Sequence, residues 1–285
     1  MSHLHYTPKH RHLQLSMAQL RLICQELYMS VAPAECKCRK NIGQCKVSDV
    51  SILSMMLFQA EIGIKSQRKF YRIYQLLAGS SQLERSRFNR RCRYLVPLFQ
   101  LIRARFNQLD FQELVIIDSF PILLCHSVRN LRARLLNDFA NIGYNASKHM
   151  WFYGFKVHMA VTESGYILNY IVTPASVHDS QVAKELLDGI KAPYVLADLG
   201  YLSKALKLDL ESRGVSLWTP LRSNMDGAKQ HNNYNVLAIR RTIETRFSVM
   251  CSEFNIEHPS ARSLTGIQAE LERAILLYNL GFFIN

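Results

Sequence analysis

Three acidic residues stand at positions where carboxylates can do chemistry. Asp118 follows the apolar run LVII, Asp198 follows YVLA, and Glu244 lies within the segment RRTIETRFS. The two short apolar runs are typical of buried strands. If those strands lie side by side in one sheet, the two aspartates nearly touch, and a later helix can bring Glu244 across to them. The sequence therefore predicts one acidic site built from three distant segments.

Clustered carboxylates repel one another, and at least one tends to stay protonated unless a cation lies between them. Mg²⁺ or Mn²⁺ is the natural partner, because these hard cations prefer oxygen ligands and keep open positions for a substrate. Two such ions about 4 Å apart can activate a water or hydroxyl and stabilise the leaving oxygen at a phosphodiester. We therefore predict catalytic and metal-binding roles for Asp118, Asp198 and Glu244, with Mg²⁺ or Mn²⁺ as the cofactor.

Each of these residues also has a simpler interpretation when it is taken singly. An aspartate at the end of a strand is usually a turn or cap residue. Glu244 follows Arg240 by four residues and Arg241 by three, which is the spacing of a solvated salt bridge on a helix. The metal-site hypothesis depends on all three acids occurring together, in suitable elements and in a suitable order.

The elements that must position these acids follow from the hydrophobic pattern after residue 108. Strands are predicted at 114–118, 151–161, 165–172, 194–197 and 215–218, and helices at 179–190, 203–212, 236–250 and 266–280. This order predicts an α/β fold with a mixed five-stranded sheet and helices on both of its faces. It is the element order of the RNase H-like fold, so that assignment is made by analogy.

The basic residues are concentrated in the first part of the chain. The formal net charge is +13, and residues 1–110 hold 18 Lys and Arg against 6 Asp and Glu. Helical patterns at 13–29, 48–59, 67–77 and 83–106 fit a basic all-α domain of the helix-turn-helix type. We predict two domains, a DNA-binding domain at 1–108 and a catalytic domain at 109–285. Charge placement alone also admits a plain solubility effect.

Several basic residues are predicted to contact DNA, chiefly the arginines of RSRFNRRCR. They cannot all share one helical stripe, so some should bind phosphate while others flank the apolar face. Outside this run, the candidates lie in the second strand, after the fifth strand and beside Glu244. The predicted DNA-binding residues are Arg87, Arg90, Arg91, Arg93, Lys156, His158, Arg222 and Arg240. Lys156 and His158 can instead lie near the metals or on a solvated sheet face, and Arg222 can be an ordinary loop charge.

The segment His178-Asp179 follows the third predicted strand. It can border the active site, but Asp179 is also a good N-cap for the helix predicted after it, and we favour the cap. No apolar stretch approaches the roughly 20 residues that a membrane span needs. Seven cysteines in a chain without an apolar export signal indicate reduced thiols. We therefore expect a cytoplasmic protein with no membrane partner.

The sequence resembles a bacterial insertion-sequence transposase of the DDE class. The resemblance covers nearly the whole chain, through IIDSFPI, WFYGFKVH, TPASVHDS, ADLGY, TPLRSNM and RRTIETRFS in that order. It implies an RNase H-like catalytic domain that uses Mg²⁺, with Asp118, Asp198 and Glu244 as its acidic triad. Many relatives also carry a Tyr three residues before the Arg and a Lys seven residues after the Glu. Here Leu237 and Cys251 take those places, and Arg240 alone of that accessory set remains.

The preferred hypothesis is a DNA transposase that cuts transposon ends and joins the 3′-hydroxyl to target DNA by two-metal phosphoryl transfer. Its partners would be the terminal repeats and the target DNA, and one active site per end favours a homodimer on DNA. Two alternatives stay open. The first is a metal-dependent DNA nuclease of the same fold, and the second is a non-catalytic DNA-binding regulator.

Overall fold

The computed structural model describes residues 10, 14–77, 83–107, 112–146 and 148–283. The α-helices in these ranges are α1 (Met17–Val31), α2 (Ala34–Lys37), α3 (Asp49–Glu61), α4 (Gln67–Leu77), α5 (Arg85–Asn107), α6 (Asp179–Leu186), α7 (Lys204–Ser212), α8 (Ala228–His231), α9 (Tyr234–Phe254) and α10 (Leu264–Leu280). The strands are β1 (Leu114–Leu123), β2 (Asn141–Asn145), β3 (Met150–Thr162), β4 (Ile167–Pro174), β5 (Tyr194–Ala197) and β6 (Ser216–Trp218). Within these ranges no helix combines the length and the apolar character that crossing a membrane requires.

The chain divides into two compact units, a helical unit of residues 1–109 and 259–285 and a sheet unit of residues 110–258. The first boundary lies close to the predicted one, but the predicted catalytic domain ran on to residue 285. The difference is the closing helix, since α10 belongs to the helical unit. Arg273 of α10 donates to Gln59 of α3 at 3.1 Å, and the Phe283 ring stacks on Phe106 with centroids 4.5 Å apart.

The helical unit contains the four predicted N-terminal helices, with short polar caps at two of their starts. Ser16 and Gln19 form a capping box before α1, and the Ser48 side chain accepts the Ser51 N–H before α3. Each cap satisfies backbone N–H groups that a helix start leaves unpaired. The apolar faces pack inward and bury Leu20, Ile52, Leu53, Met56, Phe70, Phe88 and Phe99.

The sheet unit places the first and fourth predicted strands, β1 and β5, side by side, as expected from the sequence. β1 lies between antiparallel β3 and parallel β5, and β6 extends the sheet parallel to β5. The other edge of β3 pairs with β4 and, at its beginning, with β2. The mixed α/β sheet with flanking helices confirms the predicted fold class. β2 is an additional strand that the hydrophobic pattern did not predict.

β1 is longer than predicted, because the proline in its second half does not end the strand. β5 pairs with β1 only as far as Ile117, so beyond that point β1 has one neighbour, β3. Pro121 lies in this half-paired stretch, where strands tolerate a residue that lacks an N–H. The departure of β5 at Ile117 also opens the sheet beside the next residue, Asp118.

The core of the sheet unit lies on both faces of the central strands. Val115, Ile116 and Ile117 of β1 are fully buried, as expected for a strand covered on both sides. Ile243, Phe247 and Met250 of α9 are also buried, and the rings of Phe247 and Phe120 lie 4.9 Å apart. These three residues form an apolar stripe on the predicted helix, and the packing of this stripe fixes how α9 crosses β1.

Candidate active site

Asp118 and Asp198 come together at the point where the parallel pairing of β1 and β5 stops. The parallel register pairs Ile117 of β1 with Ala197 of β5, so each aspartate is the next residue along its chain. The Asp118 Oδ1 accepts its neighbour's N–H at 2.7 Å, and the Asp198 Oδ1 accepts the Gly200 N–H at 2.8 Å. The second bond begins the short turn after β5 and holds the Asp198 carboxylate at the strand end.

The electrostatics of this pair are those of crowded, sheltered carboxylates. The Asp118 side chain is 14% exposed. Burial raises the pKa of Asp118, and the negative charge of Asp198 raises it further, against smaller effects of the Ser119 N–H and Arg240. Burial and the charge of Asp179 raise the pKa of Asp198. Both carboxylates are therefore poised to gain from a nearby cation.

Asp179 is a third carboxylate of this cluster, contrary to its interpretation as a helix cap. The N-cap of α6 is His178, and Asp179 lies in the first turn, where its side chain reaches back toward β1 and β3. Its Oδ1 accepts hydrogen bonds from Ser119 Oγ at 3.1 Å and from Lys156 Nζ at 3.0 Å. A Cβ atom on Gly200 would lie 2.6 Å from Asp179 Oδ2 and 3.0 Å from Asp198 Oδ1, so Gly200 leaves room for both carboxylates.

Lys156 and His158 support the acidic cluster from β3. Lys156 Nζ bonds to Asp179, whereas the His158 side chain is 0% exposed, with Nε2 2.9 Å from Thr173 Oγ1 and Nδ1 3.4 Å from Asp179 Oδ1. Burial lowers the pKa of His158 to about 4, so the ring is neutral at pH 7. The predicted DNA contact of His158 is therefore corrected, since a side chain without exposed surface cannot meet DNA.

Arg240 joins the acidic cluster to Glu244. Its Nη1 lies 3.4 Å from Asp118 Oδ2, and its Nη2 lies 2.8 Å from Glu244 Oε1. The Arg240 side chain is mostly buried, whereas that of Glu244 is 58% exposed. The helix salt bridge weighed for Glu244 from the sequence is thus present, and its arginine also contacts Asp118. The Arg240 guanidinium thus lies between Glu244 and Asp118, and Glu244 does not contact the aspartates.

The donor set fits a divalent cation in part. Asp118 and Asp198 offer neighbouring carboxylates, and one or two carboxylates are what proteins commonly supply to Mg²⁺ beside a phosphate substrate. In the described part of the chain, however, no three His, Cys, Asp or Glu side chains form a group that could hold a metal ion. The third predicted ligand, Glu244, is paired with Arg240. Completing the predicted triad requires Glu244 to exchange this partner.

The remaining predicted DNA contacts differ in their surroundings. Arg87, Arg90 and Arg93 of α5 and Arg222 after β6 are exposed. Arg91 points instead into the helical unit, where it donates to the Val47 carbonyl at 2.5 Å and to Asp49 Oδ1 at 2.7 Å. The exposed residues remain predictions for DNA contact, whereas Arg91 has a structural role.

The sequence analysis favoured the helix cap for Asp179 and did not connect this residue with Lys156. The signal lay in two short pieces, KVH in β3 and HDS at the start of α6. β3 and β4 pair with Lys156 opposite Thr173, and the loop after β4 then returns the chain to the same side. The pairing register of β3 and β4 depends on residues far apart in the chain, so a single sequence does not reveal it. From the sequence, the helix cap and the border of the active site therefore stayed competing interpretations of Asp179.

The chain was also compared with known protein families and structures. The family model described as "Transposase DDE domain" matches residues 109–264, a range that contains Asp118, Asp198 and Glu244. No protein of curated function is significantly similar in sequence. Among solved structures, a chain of the piggyBac transposase synaptic complex with hairpin DNA, studied by cryo-EM, is 11% identical with a TM-score of 0.49, covering 91% of this chain and 73% of that one. The family model spans more than half of the sequence, and the chain therefore belongs to the family of the transposase DDE domain.

Proposed function

We infer that this protein is a metal-dependent DNA transposase, which cuts the ends of a transposable element and joins the freed 3′-hydroxyl to target DNA. The observation that carries the proposal is that Asp118 and Asp198 each directly follow the last paired residues of the parallel strands β1 and β5, inside the region that matches the transposase family. A pure binding protein gains nothing from sheltered carboxylates, because they repel the phosphates of DNA.

In this mechanism, Asp118 and Asp198 would hold Mg²⁺ or Mn²⁺. The bound ions would neutralise the charge of the phosphodiester and activate the attacking water or hydroxyl. Asp179 keeps Lys156 beside the two aspartates through its 3.0 Å ion pair. Ser119 links the same carboxylate to β1, so Asp179 fixes the walls of the site as well as adding charge.

Glu244 and Arg240 form the movable side of the proposed site. Glu244 is exposed on α9 and is held at 2.8 Å by Arg240, whose other Nη atom faces Asp118. If Glu244 turned toward the aspartates as a third ligand, Arg240 would lose one of its two carboxylate partners. The freed guanidinium is then suited to a phosphate of the DNA, because its planar donors match phosphate oxygens.

The helical unit is the proposed DNA-binding part. It contains most of the excess positive charge, and Arg87, Arg90 and Arg93 lie exposed on α5. Lys156, Arg222 and Arg240 are the proposed contacts from the sheet unit. Two element ends must be processed together, which favours a homodimer on the DNA.

A strand-transfer assay tests this function. The full chain is incubated with labelled duplexes that end in the inverted repeats flanking its coding region, a target plasmid and Mg²⁺. Products joined to the plasmid support transposase activity. Cut ends without joined products would instead favour a nuclease, and tight binding without cleavage in Mg²⁺ or Mn²⁺ would favour a regulator.

A further inference from the structure

The helical unit contains a polar cavity of about 250 Å³. It lies where the segment after α3, the start of α4 and the middle of α5 meet the N-terminal end of α10. Its polar lining includes Gln59, Ser66, Asn89, Ser263 and Thr265. The space is smaller than a typical drug-sized pocket of about 300–1,000 Å³, so it suits a small ligand or one group of a larger ligand.

The charges around this cavity are mostly positive. Lys65, Arg93 and Arg262 line it and are exposed, and none of them forms an ion pair with another described residue. They therefore form a rim of three cations whose charges face solvent. The rim differs from Arg91 on the same unit, whose guanidinium is already bound to Asp49.

A fourth cation lies at the inner wall. Arg273 is 7% exposed, and its Nη1 donates to Gln59 Oε1 at 3.1 Å. Its buried Nε has no hydrogen-bond partner among the described residues. A buried donor without a partner is costly, and most such groups in proteins are satisfied by a protein group, a water or a ligand. Arg273 therefore leaves one buried donor at the cavity wall that a ligand with acceptor oxygens can satisfy.

One carboxylate also lines the cavity. Glu270 Oε2 accepts the Ser260 N–H at 3.1 Å, and the charge of Glu270 acts on Arg273. It offsets one of the four cations and leaves a clear positive excess. Its bond to the backbone also holds the 259–262 segment over the start of α10.

The start of α10 adds partial positive charge to the same place. Ser263 caps the helix by accepting the Gly266 N–H at 3.2 Å. A Cβ atom on Gly266 would lie 2.7 Å from the Cβ of Ala261, so glycine allows the segment to fold closely over the helix end. The N-terminal end of a helix favours anions, in keeping with the surrounding cations.

We propose that this cavity binds a backbone phosphate of the DNA that the protein processes. The ligand is an anion with several acceptor oxygens, and the exposed rim leaves room for a polymer to pass. This site rests on the proposed function, since it assigns part of the DNA contact to the α10 segment, which lies outside the run of arginines predicted from the sequence. It binds phosphate without reading bases, so it sets the register of the helical unit on the duplex.

Thr265 offers a test with a closely matched control. It is exposed in the first turn of α10 and lines the cavity. A glutamate in a first helical turn stabilises the helix, so Thr265→Glu is expected to fold, while its charge repels a phosphate. Thr265→Gln has similar size and no charge. Affinity for a labelled duplex carrying the terminal repeat is measured by fluorescence anisotropy with the full chain over a series of KCl concentrations.

We expect Thr265→Glu to weaken binding about tenfold, and Thr265→Gln to bind as the unchanged protein does. Replacing both Lys65 and Arg262 with alanine is expected to reduce the slope of log affinity against log salt by about 1. Equal affinities for the glutamate and glutamine variants would overturn the proposal. The proposal would also be overturned if inorganic phosphate bound in this cavity, as shown by a higher melting temperature, while Thr265→Glu still bound DNA as the unchanged protein does.

Failure of this site and failure of the proposed function give different results. If Thr265→Glu binds DNA normally and the unchanged protein joins DNA ends, the cavity proposal falls and the function stands. If Thr265→Glu loses affinity and the protein neither cuts nor joins DNA, the cavity stands and the transposase function falls.

Discussion

Replacement of Arg91 by alanine should destabilise the helical unit, although the residue lies in the most basic run of the sequence. The Arg91 side chain is 16% exposed, and it donates to the Val47 carbonyl and to Asp49. Asp49 is 2% exposed at its side chain and also binds Arg39. Arg91 therefore connects α5 to α3 through a carboxylate that water does not reach.

The magnitude follows from these contacts. A hydrogen bond to a charged group contributes roughly 1.5–3 kcal/mol, and a bond to a backbone carbonyl contributes about 1 kcal/mol. Arg39 continues to compensate the charge of Asp49 in the variant, so the loss stays below the 3–5 kcal/mol typical of an abandoned buried charge. We expect Arg91→Ala to lower the free energy of unfolding by about 2–3 kcal/mol, which corresponds to a fall of about 5–10 °C in Tm.

Arg90 supplies the matched control, because it is the preceding residue and is exposed. Arg90→Ala should change the free energy of unfolding by less than about 0.5 kcal/mol. Urea unfolding followed by circular dichroism measures stability, and anisotropy with a labelled duplex measures DNA affinity. The reasoning would be refuted if Arg91→Ala kept the full unfolding midpoint and lost DNA affinity more strongly than Arg90→Ala.

Three further predictions concern single groups. Burial opposes the ionisation of Asp49, but bonds from its two arginine partners hold its pKa below the ordinary 3.8. Asp49 thus stabilises the fold above pH 3.8, and this stabilisation is lost as the pH falls through the lower folded pKa. An acid titration of the stability of Asp49→Asn should not show this loss. In β3, Gly154→Ala should reduce stability by several kcal/mol in thermal unfolding, because the added Cβ would lie 1.9 Å from a β1 carbonyl oxygen. Asp179→Asn should slow DNA cleavage at least about tenfold and raise the Mg²⁺ concentration needed for half-maximal rate, with DNA affinity unchanged; an unchanged Mg²⁺ dependence would contradict the positioning role.

The fold was easiest to predict from the sequence where a local apolar pattern marks a buried strand or a buried helix face. The runs before Asp118 and Asp198 are short and apolar, and the first is rich in β-branched residues, so their formation of buried strands was predictable. The stripe on α9 likewise fixed which helix face meets the sheet, and with it the side on which Glu244 stands. These features depend on residues within one element, and hydrophobic periodicity reports them directly.

The features that were not predicted depend on distant partners. α10 has the length and apolar pattern of a closing helix in either unit, and only contacts such as Arg273 with Gln59 place it in the helical one. Asp179 looked like a cap because His178 is an uncommon N-cap residue. The burial of His158 depends on Tyr201, which closes over it from the turn after β5. No local pattern records these pairings.

The central claim is that Asp118 and Asp198 act together in DNA cleavage, and their asparagine variants test it most directly. Asparagine keeps the shape of each side chain and removes the charge that would hold a divalent cation. Asp188→Asn, at an exposed position, is the control. With terminal-repeat duplexes and Mg²⁺, we predict cleavage rates reduced about a hundredfold or more in each site variant, unchanged DNA affinity, and a normal rate in the control. Cleavage at the unmodified rate by either Asp118→Asn or Asp198→Asn would contradict the account.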